Sequence, residues 1–166
     1  MDAEGPPVLQ SGRFSGRSLF QQAVRDVLAQ AQAQDCSEII LCDLNFWDWP
    51  LGERAVHDSL QAWARSGRRC TVIAADFDEI VRRHARFVTW RRTWSHVVEC
   101  WKCPARDTSC IPSLLWTPGW VLHRIDPDDV VFSLHDSPLR RVQLRESLQD
   151  VLAASASAFP ASTLGL

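Results

Sequence analysis

The sequence contains no tyrosine, a single lysine and no apolar run near the ~18–20 residues that a membrane-spanning helix requires. No membrane span is therefore expected. The first residues, MDAEGPPVLQSGR, are acidic and lack an apolar stretch, so no secretory leader is read there and the expected compartment is the cytoplasm. Six cysteines in a reducing compartment are expected as small buried hydrophobes rather than as disulfides. Internal repeats and low-complexity linkers are missing too. Neither a Gly-rich phosphate loop nor a Gly-x-Ser-x-Gly elbow occurs, so the usual sequence marks of phosphate cradles and of hydrolase triads are absent. No cofactor is expected.

What the chain does hold is arginine and tryptophan. Arginine accounts for 17 of the 18 Lys and Arg residues, and there are eight tryptophans. Tryptophan offers large apolar area to a core or an interface. A net charge of −2 makes no overall electrostatic case for nucleic acid, but the charge is unevenly spread. Nine basic and four acidic side chains lie between Arg65 and Lys102, a local +5 that leaves −7 for the rest.

The 166 residues fit one domain. Residues 1–15 read as a loose Gly/Pro/Ser-rich segment, 16–155 as a single α/β domain and 156–166 as a tail. Ser18 with Gln21 reads as a capping box opening a helix to about Gln34. EIILCD (38–43), RCTVIAA (69–75) and HVVECWK (96–102) read as strands, and helices over about 52–66 and 76–94 separate them. WVLHRI and VVFSLH, joined by DPDD, predict a hairpin. Ser137 followed by Pro138 opens the last helix. Strands alternating with helices of this length predict a mixed, mainly parallel sheet flanked by helices.

Four sets of residues bear on chemistry. Cys100 and Cys103, with His96 and Cys110, make a weak set of zinc ligands, since the second paired knuckle is missing; incidental packing is the stronger reading, and no metal is expected. His84 lies on an apolar helix stripe, as a hydrogen-bonded core-edge histidine does. His123, His135, Asp126, Asp128, Asp129 and Asp136 surround a turn whose Asp-Pro-Asp-Asp sequence is turn chemistry before it is a cation site. Asp43 and Asp76 fall at the C-terminal ends of predicted parallel strands, with Asp48 and Asp78 nearby. That is where open α/β sheets place ligands, and it defines the alternative of a metal-dependent phosphoesterase or hydrolase. Last, Arg82, Arg83 and Arg86 share a helix face opposite the apolar stripe, with Trp90, Arg91 and Arg92 following. Arginine interleaved with tryptophan suits phosphates and stacked bases, so this face is the expected binding surface for nucleic acid or an acidic protein.

The succession from EIILCD through RCTVIAADFDEIVRRHARF and HVVECWK to the hairpin and final helix resembles one half of a phospholipase D-like domain, closest to an uncharacterised bacterial family. Active members carry an H-x-K-x-x-x-x-D motif. Its place here, Pro112–Trp120, reads PSLLWTPGW and holds neither histidine nor lysine. The resemblance therefore implies a half-domain without catalysis, a binding or assembly module that pairs as a homodimer.

Overall fold

The structure, a computed structural model, describes residues 5–104 and 111–159. Its elements follow in the order β1 (Gly12–Ser15), α1 (Arg17–Ala33), β2 (Glu38–Cys42), α2 (Arg54–Trp63), β3 (Arg69–Ala74), α3 (Asp78–Arg83), α4 (Ala85–Thr93), β4 (Val98–Lys102), β5 (Ser113–Trp116), β6 (Val121–Asp126), β7 (Val131–His135), α5 (Pro138–Ala153) and β8 (Ala156–Ser157). The strands form one sheet in the order β1-β7-β6-β5-β2-β3-β4-β8. No described helix is long and apolar enough to cross a membrane.

Strand alternation divides the core in two. Ile39 and Leu41 of β2, Cys70 and Val72 of β3, and Val98 and Cys100 of β4 face one side with α1, α2 and α4. Ile40, Cys42, Ile73, Leu114 and Trp116 face the other, where Leu144 and Leu148 of α5 pack on them. Ser137 accepts a hydrogen bond from the Arg140 amide, so the N-cap of α5 stands where its Ser-Pro pair predicts.

The mixed α/β class holds, and the mainly parallel sheet does not. Among the described residues only β2–β3 and β3–β4 pair parallel, whereas five pairings are antiparallel. The difference originates in β5. SLLW is a four-residue strand set between Pro112 and the Thr117-Pro118-Gly119 turn, and that framing reads as loop. It joins β6 in a hairpin and lies antiparallel against β2. Residues 12–15 also pair, antiparallel with β7, and Phe14 stacks on Phe132 with ring centroids 5.6 Å apart.

The helix expected over 76–94 is broken in two. His84 leaves helical geometry at φ −123° and ψ 55°, between α3 and α4. Gly52 packs against this break: a Cβ there would meet the Arg83 carbonyl at 2.8 Å and the His84 ring at 3.2 Å. Close backbone approach, rather than a turn, makes this position a glycine.

Candidate functional site

The chain leaving β2 reads Asp43-Leu44-Asn45-Phe46-Trp47-Asp48. Asp43 Oδ2 accepts hydrogen bonds from the amides of Phe46 at 2.8 Å and Asn45 at 3.2 Å, folding the segment back on itself. Phe46 takes φ 61°, a conformation that a bulky L-residue adopts at a cost of roughly 1–3 kcal/mol. Its ring is fully buried against Trp49, and its carbonyl accepts from His84 Nε2 at 2.8 Å. Burial holds the His84 pKa below its ordinary value, so the ring is neutral and its Nε2–H donates. The strained residue thus throws its neighbour outward. Trp47 is 42% exposed.

Beneath this turn, three charges meet out of solvent. Arg124 of β6 donates from Nη1 to Asp48 Oδ2 at 2.6 Å, from Nη2 to Asp43 Oδ1 at 3.0 Å and from Nε to Ser113 Oγ at 3.1 Å. All three charged residues are buried, and the guanidinium lies 4.3 Å over the Phe20 ring. Burial by itself lowers the Arg124 pKa, but the Asp48 and Asp43 carboxylates outweigh it and raise the value. Asp48 also receives Arg17 Nε at 3.3 Å, and its carbonyl accepts from Gln21 at 2.7 Å. The turn is therefore tied to β6 and to the start of α1 at once.

Two guanidiniums stand over the exposed tryptophan. Arg17 lies 4.8 Å and Arg83 5.7 Å from the Trp47 ring centroid. Arg82 and Arg83 are both exposed and both bond Glu79, at 3.1 and 2.6 Å. The Arg83 hydrogen bond leads in holding the Glu79 carboxyl below its usual range. Arg86 donates to the Gly52 carbonyl at 2.8 Å. An open groove of about 500 Å³ follows, with Arg54 and Arg86 on its walls. Neither of these two makes an ion pair among the described residues.

Only part of the expected arginine face stands on this ridge. Arg82, Arg83, Arg86 and Arg92 are exposed, but Trp90 and Arg91 are buried. Trp90 packs on Phe87 inside the helical layer, and Arg91 donates inward to the Val98 carbonyl at 2.8 Å. Trp90 and Arg91 follow Phe87 at helical spacings of three and four, so within α4 they share its buried face.

The acidic set also divides. Asp43 and Asp48 converge on Arg124, whereas Asp76 and Asp78 are exposed, and Asp76 Oδ1 accepts from the Asp78 amide at 2.7 Å. Asp126 serves its turn, accepting from the amides of Asp128 and Asp129. Cys100 and Cys103 face opposite sides of the sheet, His96 is exposed beside Trp94, and Cys110 lies outside the described residues. Burial pushes the Cys100 thiol up to about 11, as for an inert core cysteine. Among the described residues no three His, Cys, Asp or Glu side chains group as metal ligands.

No protein-family model and no curated protein matches the chain. A solved structure does. The chain is similar in fold to TrmBL2, described as an archaeal chromatin protein showing a novel mode of DNA binding. The match has a TM-score of 0.65 at 11% identity and covers 95% of this chain but 57% of TrmBL2. The chain thus spans little more than half of TrmBL2's length, and identity this low establishes the fold alone. The likeness to TrmBL2 overturns the phospholipase D half-domain, and its bacterial family, expected from element order. Order does not specify pairing: the β6–β7 hairpin belongs to that order, but β5, which joins it to β2, and β1, which pairs with β7, do not.

Arg17, Trp47 and Arg124 were not singled out from sequence. Arg124 carried a signal, since it follows Leu122 at strand spacing on the inward face, where a charge requires a buried partner. Nothing local marks Arg17, whose role exists only once α1 meets the turn after β2.

One pH dependence follows from β6. Burial, then Arg140 and His135, lower His123 to about 4. Unfolded, the same imidazole titrates near ~6.5. Between these values the unfolded chain binds a proton that the folded chain refuses, so stability falls as pH drops from 6.5 towards 4. The loss from this group is expected at about 2 kcal/mol, after allowance for solvent screening of a half-buried ring. Urea midpoints of wild type and His123→Gln across pH 7 to 4 check it: the variant's profile should be flatter, and parallel profiles would refute the assignment.

Proposed function

We propose that the chain is a non-catalytic nucleic-acid-binding module whose contact surface is the ridge formed by Arg17, Trp47, Arg82, Arg83 and Arg86. The observation that carries this reading is the exposed Trp47 ring with two guanidiniums over it. Phosphates are held by arginine forks and bases by flat π-surfaces, and the ridge offers both side by side. An acidic protein would use the arginines but has less use for an exposed indole between them. TrmBL2, which shares this fold over 57% of its own chain, is described as binding DNA, and that supports the class of partner without specifying the residues. The reading needs no second copy of the chain.

Absence of catalysis is supported by what the buried acids are already doing. Asp43 and Asp48 are committed to Arg124, and Asp43 also holds two backbone amides. They support the turn that carries Trp47.

Association with a labelled oligonucleotide, followed by anisotropy across a salt series, tests the proposal. The triple variant Arg82→Glu/Arg83→Glu/Arg86→Glu is expected to weaken binding about a hundredfold near ~0.15 M salt and to lower the salt slope by about three. All three side chains are exposed, so the folded state should persist. Unchanged affinity in that variant would end the assignment of this surface.

A further inference from the structure

Behind Trp47 the turn opens into a cavity of about 700 Å³, on the α5 side of the sheet and at the end of β2. This size lies within the range of small-molecule sites. The position lies outside the C-terminal end of β2, where open α/β sheets place their ligands. We infer that this cavity receives a nucleobase, edge-on to Asn45, Ser113, His123 and Asp150, while the attached phosphate rests on Arg17 and Arg83 at the rim. The inference rests on the nucleic-acid reading for its phosphate contacts.

Charge decides against a phosphate inside. Among the described residues the one guanidinium on the wall, Arg124, is balanced by two carboxylates, and Asp150 adds a further negative charge. An uncharged ligand with hydrogen-bonding edges fits better. The wall supplies what such edges need. Asn45 gives its carbonyl oxygen to the Trp47 amide, which leaves its NH₂ to donate. Ser113 Oγ accepts from Arg124, which leaves its O–H to donate. Asp150 offers acceptors, and His123 Nδ1 is buried with no hydrogen-bond partner among the described residues. Ile111 and Val151 line the remainder and suit a flat apolar face. Trp47 belongs to both features: it lines the cavity and lies under the Arg17 and Arg83 guanidiniums.

The base could come from a strand or from a free nucleotide, and the experiment separates the two. The full chain is titrated with a short single strand, with an abasic strand of equal length, and with free nucleosides and nucleoside monophosphates. The base-bearing strand should bind roughly tenfold tighter than the abasic one at equal salt. Ser147→Trp, placed on the exposed cavity side of α5 where the hydroxyl bonds only Gln143 of its own helix, should abolish that margin and leave abasic affinity unchanged. Should this variant not fold, Val151→Phe fills the same space from the same helix. Competition by a nucleoside monophosphate marks the free nucleotide as ligand, and its failure marks a strand base. Equal binding of the two strands overturns the cavity inference while leaving the ridge intact. If neither strand binds, the ridge fails, and the cavity stands only if a free nucleoside binds and Ser147→Trp abolishes it. No binding of any probe overturns both.

Discussion

Replacing Arg124 by leucine is expected to cost about 3–5 kcal/mol of stability at neutral pH, the largest effect of any charged residue in the described fold. The guanidinium is the partner of two buried carboxylates, at 2.6 and 3.0 Å, and removing it leaves Asp43 without a cation and Asp48 with only the half-exposed Arg17. Arg17 cannot take over. It reaches only Asp48, at 3.3 Å, and from the exposed side. Arg124→Lys keeps the charge but not the fork that reaches Asp43, Asp48 and Ser113 together, so an intermediate loss is expected. The triple change Arg124→Leu/Asp43→Asn/Asp48→Asn removes all three charges, and asparagine can still accept from the Asn45 and Phe46 amides. It should recover most of the loss, as buried ion clusters replaced whole do. Urea unfolding of the four proteins gives the comparison. An Arg124→Leu midpoint close to that of wild type would show that the cluster does not hold the turn.

The same cluster shows how structure and proposed function connect. A left-handed Phe46 is unfavourable alone and persists because Asp43, His84 and the Arg124 network hold it from three directions. Loosening that network frees Trp47 from its place under Arg17 and Arg83. Arg124→Leu should therefore weaken oligonucleotide binding although it touches no surface residue. Stability and binding fall together in this case, whereas the triple arginine reversal on α3 and α4 lowers binding alone.

Local pattern carried much of the fold. The apolar stripe of α1, the three strands β2, β3 and β4, the β6–β7 hairpin and the Ser-Pro start of α5 are all written in periodicity and capping. What escaped was non-local. β5 is four residues between turn formers, and its strand character comes from lying between β2 and β6. The break at His84 has no proline or glycine in the chain to announce it; it arises where the Phe46 carbonyl captures the imidazole and Gly52 packs close. The candidate site was half legible for the same reason. Arg82, Arg83 and Arg86 follow from helix spacing within α3 and its continuation. Arg17 and Trp47, 30 residues apart in sequence, meet them only through the tertiary fold.

Trp90 separates the two accounts of the arginine-rich stretch. Were the helix continuous from 76 to 94, Trp90 would stand with the arginines, and its truncation would cost affinity and little stability. In the structure it is 1% exposed and packs on Phe87 with ring centroids 5.6 Å apart. Trp90→Ala is then expected to cost about 3–5 kcal/mol, the transfer free energy of the ring together with the cavity left in the α4 layer. Its indole Nε1 is buried without a hydrogen-bond partner among the described residues. Trp90→Phe therefore removes an unsatisfied donor along with one ring, and the two effects oppose. The phenylalanine variant should lose only about 1 kcal/mol and bind oligonucleotide as wild type does. Thermal unfolding and anisotropy on both variants decide between the accounts, because a surface tryptophan predicts the reverse pattern: unchanged stability in each, and weaker binding from alanine than from phenylalanine.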